Sequence, residues 1–211
     1  MTLPSLALLV GFAAALASFA VQRLRLGRRL AAPFAPPRAS AAAGVRYAFT
    51  TAFLPWAKES ARKHLASYLA GIVFHLAVFA ALGWLALSLL PAAPPAAAAH
   101  ALAAVLAAGL ACGLGLLAKR RRNTTLRAVS TREDLAANLL VDAFLAAGIA
   151  AALRPTLLPV FQVAGAALLL YAPLGKLRHM LFLLTSRRYW GTYFGRRGVR
   201  PAPRPLAGPR G

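Results

Sequence analysis

An all-α integral membrane protein, built as a five-transmembrane-helix bundle, is predicted by three observations. Hydrophobic residues make up 60% of the 211 residues, and the mean hydropathy is +0.63. Charged residues make up 14%, where a soluble domain carries about 25%. The charges are clustered, and the apolar stretches between them approach or exceed the roughly 20 residues that a membrane-crossing helix needs. Those stretches are 3–20, 65–90, 97–118, 135–153 and 156–184.

The first span is preceded by no Lys or Arg and followed by Arg23, Arg25, Arg28 and Arg29. That order is the reverse of a secretory leader, so the span is expected to be a retained anchor with its N-terminus outside, although ALASFA offers small residues for cleavage. Residues 31–43 form a Pro/Ala linker. Residues 44–64, with Tyr47, Trp56 and alternating basic and apolar positions, suit an amphipathic segment in the headgroup plane. The second span carries His75 within GIVFHLAVF. PAAPPAAAAH (91–100) is a short turn, too Pro-rich for helix until after Pro95. The third span holds Cys112, the only cysteine. One cysteine excludes an internal disulfide and CxxC chemistry, and it is expected to pack as a small residue. The fourth span contains Asn138 and Asp142. The fifth is broken by Pro173 and carries His179 within GKLRHMLFL. These spans make one membrane domain, 1–188. The tail 189–211 begins aromatic, as an interfacial anchor would, and ends Pro/Arg-rich, extended or ordered by a partner.

The formal charge of +21 has a simple distribution. Every Lys and Arg except Arg154 falls after the first span, after the third, or at the end of the last span and in the tail. The positive-inside rule accounts for this bias and puts those segments and the C-terminus in the cytoplasm, for a multi-pass protein of the cell inner membrane. No nucleic-acid partner is needed to explain it. Anionic lipid headgroups or an acidic face of a partner subunit suit it better, with 55–64 and 120–134 as docking candidates.

Ionisable residues inside spans are functional candidates. His75, Asp142 and His179 lie 12, 8 and 8 residues from the nearest inner-edge charges, Lys63, Asp134 and Arg187. At 1.5 Å per residue they sit about 18, 12 and 12 Å deep. Two imidazoles at similar depth on separate helices suit an axially ligated haem. Gly71 and Gly175 each stand four residues before a histidine, one turn away on the same face, where a bare patch would admit the porphyrin edge. Phe74, Phe79, Met180 and Phe182 could wall the group. The alternative is that each histidine only hydrogen-bonds to a neighbouring helix. His64 and His100 lie on opposite sides of the membrane and cannot pair, so one bis-histidine haem b is the consistent count. Whether either residue serves a second haem stays open.

The motif PLGKLRH (173–179) resembles the PF-T/S-R/K-L-x-H motif of the respiratory nitrate reductase gamma subunit family, which includes related membrane cytochromes b of sulfur-metabolism and heterodisulfide-reductase-like complexes. The Phe74–His75 pair resembles the matching ligand region, and five spans agree with that family. The resemblance implies that His75 and His179 hold the haem nearer the cytoplasm. Where the family has ligands for an outer haem, this chain reads Gly83, Trp84, Leu85 and Phe161, Gln162.

The expected function is a membrane anchor passing electrons between the quinone or menaquinone pool and a cytoplasmic iron–sulfur subunit that performs the catalysis. The chain itself offers no nucleotide loop, cluster motif or nucleophile–base set. Lys176 and Arg178 either pair with haem propionates or snorkel to headgroups. Asp142 with Asn138 either relays protons for a quinone or serves as a structural hydrogen bond or a salt bridge to Lys176 or Arg178. The rival class is a cofactor-free membrane scaffold or transport subunit.

Overall fold

In hydrocarbon, backbone polar groups must find partners within their own segment, so long apolar stretches fold as helices. The computed structural model describes residues 2–27, 39–57, 59–90 and 94–198. Those residues form helices and connections, with no strand among them. In chain order the helices are α1 (Leu3–Gly27), α2 (Ala41–Phe49), α3 (Glu59–Lys63), α4 (Leu65–Leu87), α5 (Ala96–Arg122), α6 (Thr124–Ala128), α7 (Arg132–Leu153), α8 (Leu158–Tyr171) and α9 (His179–Arg196). One-turn 3₁₀ helices cover Thr51–Phe53, Pro55–Ala57, Pro155–Leu157 and Lys176–Arg178.

Helices α1, α4, α5 and α7 are long and apolar enough to cross a membrane, and α8 with α9 supplies a fifth if a broken pair counts as one span. These are the helices of a multi-pass membrane protein. The expected fifth span, 156–184, is not continuous. The helix stops at Tyr171, resumes as a single 3₁₀ turn at Lys176 and becomes α-helical again at His179. Pro173 has no N–H to carry the ladder forward. The 14 residues of α8 rise about 21 Å, short of the roughly 30 Å hydrocarbon core.

The chain divides into two compact units, Met1–Gln22 with His64–Arg178, and Arg23–Lys63 with His179–Gly211. In the first unit α7 is central. Of its apolar window 44% is buried, against no more than 22% in α1, α4 or α5. Ala137, Val141, Phe144, Leu145, Gly148 and Ala151 repeat at three- and four-residue steps along its buried face. Of these, Val141, Phe144, Leu145 and Ala151 join Leu8, Ala81, Leu85, Leu106, Phe161 and Leu168 in one core. Small residues let the helices approach: a Cβ at Gly109 of α5 would collide with Ala77 of α4, and one at Gly165 of α8 with Leu85. Gly11 of α1 lies against the backbone of Ala166, where a Cβ would come within 3.2 Å.

The two ends of this unit differ. One end carries Lys119, which bonds Ser67, and Lys176, which pairs with Asp134 at 3.0 Å. The other holds Gln162, which accepts from Ser5 Oγ and donates to the carbonyl and Oγ of Ser88, each at 3.3 Å.

In the second unit α2 packs on α9. Gly44 meets Gly191 and Gly195 so closely that a side chain at Gly44 would strike their backbone. The Arg187 guanidinium donates to the Ala48 carbonyl at 2.6 Å and lies 3.8 Å over the Phe53 ring. The segment from Tyr189, expected as a tail, therefore continues α9 to Arg196. Its Pro/Arg-rich end, 199–211, lies outside the described residues, as do 31–38 of the expected linker. Residues 44–64 form several short helices where one amphipathic segment was expected.

The contact at Gly109 makes a direct test. Gly109→Ala is expected to destabilise the detergent-solubilised chain by about 1–3 kcal/mol, the usual range for overpacking. Gly115→Ala, on the same helix but with open space around it, is expected to leave the thermal midpoint unchanged or slightly raised.

Candidate functional site

His75 lies on α4 in the first unit, and its side chain is exposed on the helix surface. Its Nδ1 is 2.6 Å from the Gly71 carbonyl one turn earlier. A carbonyl can only accept, so Nδ1 carries the proton and Nε2 is the basic nitrogen, the tautomer in which histidines ligate metals. The Phe74 ring meets the imidazole edge-on, with centroids 6.0 Å apart. A Cβ built at Gly71 would have nothing within 4 Å, so the patch beside His75 is bare, as the four-residue spacing predicts.

His179 is the first residue of α9, in the second unit, and is exposed. The pairing of His75 with His179 therefore rests on the sequence. The reasoning for Gly175 does not hold: residues 172–178 are a turn followed by a 3₁₀ helix, so four residues no longer make one α-helical turn. The face of Gly175 is occupied by the Tyr171 ring, which leaves no space for a side chain there. The Tyr171 hydroxyl is buried without a hydrogen-bond partner among the described residues.

Lys176 is engaged by Asp134, not by Asp142. Asp134 closes a capping box at the start of α7: it accepts from the Thr131 backbone N–H at 2.8 Å and hydroxyl at 2.9 Å, and Arg120 lies 3.9 Å away. Arg178 is exposed at the same end. Asp142 is 4% exposed on the inner face of α7. Its Oδ2 accepts from Asn138 Nδ2 at 2.7 Å, while Oδ1 is buried with no partner among the described residues. A Cβ at Gly113 would strike both Asp142 Oδ1 and the Phe74 ring. Asp142 thus sits at the level of Phe74, the residue preceding His75.

Around Trp84 and Phe161, aromatic side chains fill the interior. The Phe161 ring stacks on Trp84 at 4.7 Å and on Phe144 at 5.1 Å. His64 precedes α4 and is exposed. His100, near the start of α5, places Nδ1 2.8 Å from the Ala96 carbonyl.

The sequence reasoning missed a cleft of about 730 Å³ at the end of the first unit where α7 stops at its C-cap Arg154, lined by Trp84, Ser88, His100, Ala151, Pro155 and Leu158 among others. The signal was the placement of Trp84 and His100 on either side of one short turn, read separately as a replaced ligand and an edge residue. Clefts that take lipophilic ring molecules are lined mainly by apolar side chains, with a few polar groups that orient the ligand.

No protein family, curated protein or solved structure matches this chain.

The buried carboxyl gives a stability test. Asn138→Ala removes the partner of Asp142 Oδ2 and is expected to cost about 1–3 kcal/mol, the penalty for stranding a buried polar group. Asn138→Ala combined with Asp142→Ala should recover much of that loss in the same thermal unfolding measurement.

Proposed function

We propose that this chain is a haem b-carrying membrane anchor subunit, transferring electrons between quinone and a cytoplasmic iron–sulfur subunit of an oxidoreductase. The observation that carries the reading is His75, with Nδ1–H held by the Gly71 carbonyl beside a patch bare of side chains. This fits one axial ligand and the edge of a flat macrocycle. His179, from the motif that resembles that of the nitrate reductase gamma family, is the proposed second ligand. The bound haem would supply one-electron transfer between a two-electron quinol and one-electron clusters.

The protein's own groups then have definite tasks. Gly71 leaves room, and Phe74 sets the imidazole edge. Arg178 and Lys176 put positive charge at the basic end, Lys176 sharing its charge with Asp134. Asp142 Oδ1 is the interior atom at which a proton can be held, positioned by the Asn138 bond to Oδ2. The cleft at the other end suits a quinone ring laid against Trp84, with Ser88 and His100 in reach of its oxygens. Quinol oxidation there releases two protons and two electrons. Nine residues separate Ala151 in that cleft from Asp142, about 14 Å along α7, so Asp142 does not touch a quinone bound there.

A cofactor-free scaffold is the second reading. It is favoured by the structural use of Gly175 under Tyr171 and of Lys176 on Asp134, two residues otherwise assigned to the haem.

The chain purified with its associated subunits is expected to show about one b-type haem by pyridine haemochrome. That signal should disappear in His75→Ala and in His179→Ala and persist in His64→Ala and His100→Ala. A folded, complete complex without haem would leave the scaffold. Trp84→Ala should slow quinol-driven haem reduction at unchanged haem content.

A further inference from the structure

A second cleft, of about 510 Å³, lies at the basic end of the first unit, between the end of α5 and the start of α7. Its walls are Arg120, Arg121, Arg127, Ser130, Thr131, Arg132 and Leu135. We propose that this cleft is a specific binding site for the phosphodiester headgroup of an anionic membrane phospholipid. The proposal is independent of the haem reading.

Four guanidinium groups face one small volume. Arg120 is fixed in place: its Nη1 donates to Ser130 Oγ at 3.2 Å and lies 3.9 Å from Asp134. Arg121, Arg127 and Arg132 form no ion pair with the described residues. Two carboxylates are near. Asp134 is already spent on Thr131 and Lys176, and Glu133, exposed beside Arg132, can offset one charge at most. A net positive cleft with planar, forked donors matches the oxygens of a phosphate diester, which arginine binds through paired N–H bonds; the Ser130 and Thr131 hydroxyls already donate to the Leu126 carbonyl and to Asp134.

The surroundings favour a lipid over a free anion. The cleft opens where the apolar runs of α5 and α7 end, and Leu135 belongs to its wall. Leu126 and Val129, between the arginines of the connecting segment, expose 36% and 71% of their surface. A headgroup among the arginines would therefore leave its acyl chains beside apolar side chains, at the depth where basic residues meet anionic lipid.

The experiment uses the delipidated full chain in a neutral maltoside, with lipid retention counted by native mass spectrometry. Dioleoyl-phosphatidylglycerol is compared with dioleoyl-phosphatidylcholine, with and without inorganic phosphate. Phosphatidylglycerol is expected to be retained in preference and to resist millimolar phosphate. Loss of about fivefold in affinity is expected per cleft arginine removed, hence about a hundredfold for Arg121→Gln, Arg127→Gln and Arg132→Gln together. Arg127→Gln alone serves if the triple variant does not fold. The equally charged control Arg23→Gln, Arg25→Gln and Arg46→Gln, all outside the cleft, should retain lipid as the unaltered chain does. Equal retention of the two lipids overturns the proposal, as does an equal loss in the control, which would make the effect one of overall charge. Full displacement by inorganic phosphate makes the ligand a free anion and overturns it as well. So does arginine-dependent assembly with an acidic partner subunit without lipid preference.

Discussion

Asp134 is where the basic end of the first unit is tied together. The chain has only four acidic residues, and this one receives the Thr131 backbone N–H, the Thr131 hydroxyl, Lys176 and, more distantly, Arg120. One carboxylate therefore caps α7, fixes the exit of α5 and holds the segment that follows the break after α8. Without it, Arg120 and Lys176 would lose the carboxylate they share. The capping contribution resembles that of any N-terminal carboxylate, since the first N–H groups of a helix have no partner within it. The contact with Lys176 adds something a cap alone does not: it anchors the 3₁₀ turn from which the second half of the expected fifth span departs.

Above that end, packing depends on absent side chains. Apolar helices in lipid gain little from burying apolar surface against each other, so contact depends on close approach and dispersion. Gly109 on Ala77, Gly165 on Leu85 and Gly148 under Leu106 and Phe161 each let a larger neighbour fill the gap. The same device joins α2 to α9 in the second unit through Gly44, Gly191 and Gly195. The GTYFG spacing at 191–195 is visible in the sequence, but its partner Gly44 lies far away along the chain, and nothing local pairs them.

The apolar runs were legible in the sequence because each meets a charged cluster or the Pro-rich turn 91–95 on at least one side. Their ends were less so. The run read as 97–118 sits in a helix extending from Ala96 to Arg122, and 135–153 in one that begins at Arg132. Hydropathy stops at the first charge, whereas the hydrogen-bond ladder continues through it. The break in the fifth span is signalled by Pro173 alone: Ala172 and Leu174 beside it are apolar, so hydropathy runs on through the place where the ladder fails. For the same reason two identical Gly-to-His spacings have different meanings. At Gly71 and His75 the backbone is α-helical and four residues make a turn. At Gly175 and His179 it is not, and the glycine accommodates Tyr171. Spacing reports geometry only where the secondary structure it assumes is present.

The two ends of the first unit consequently offer different kinds of site. At the basic end the interior beside Phe74 admits a carboxyl group, Asp142, one of whose oxygens has no partner among the described residues. At the other end the interior is closed by three stacked rings, Trp84, Phe161 and Phe144. A flat ligand at that end cannot enter between the helices without displacing the Phe161 ring, which has 0% of its surface exposed. Displacing it would open a void in the core with a cost of about 3–5 kcal/mol, comparable to truncating a buried phenylalanine. The cleft outside the stack needs no such rearrangement. Trp84 contributes to both, stacked on Phe161 and lining the cleft, so the ring that closes the interior is also a wall available to a ligand approaching from the side.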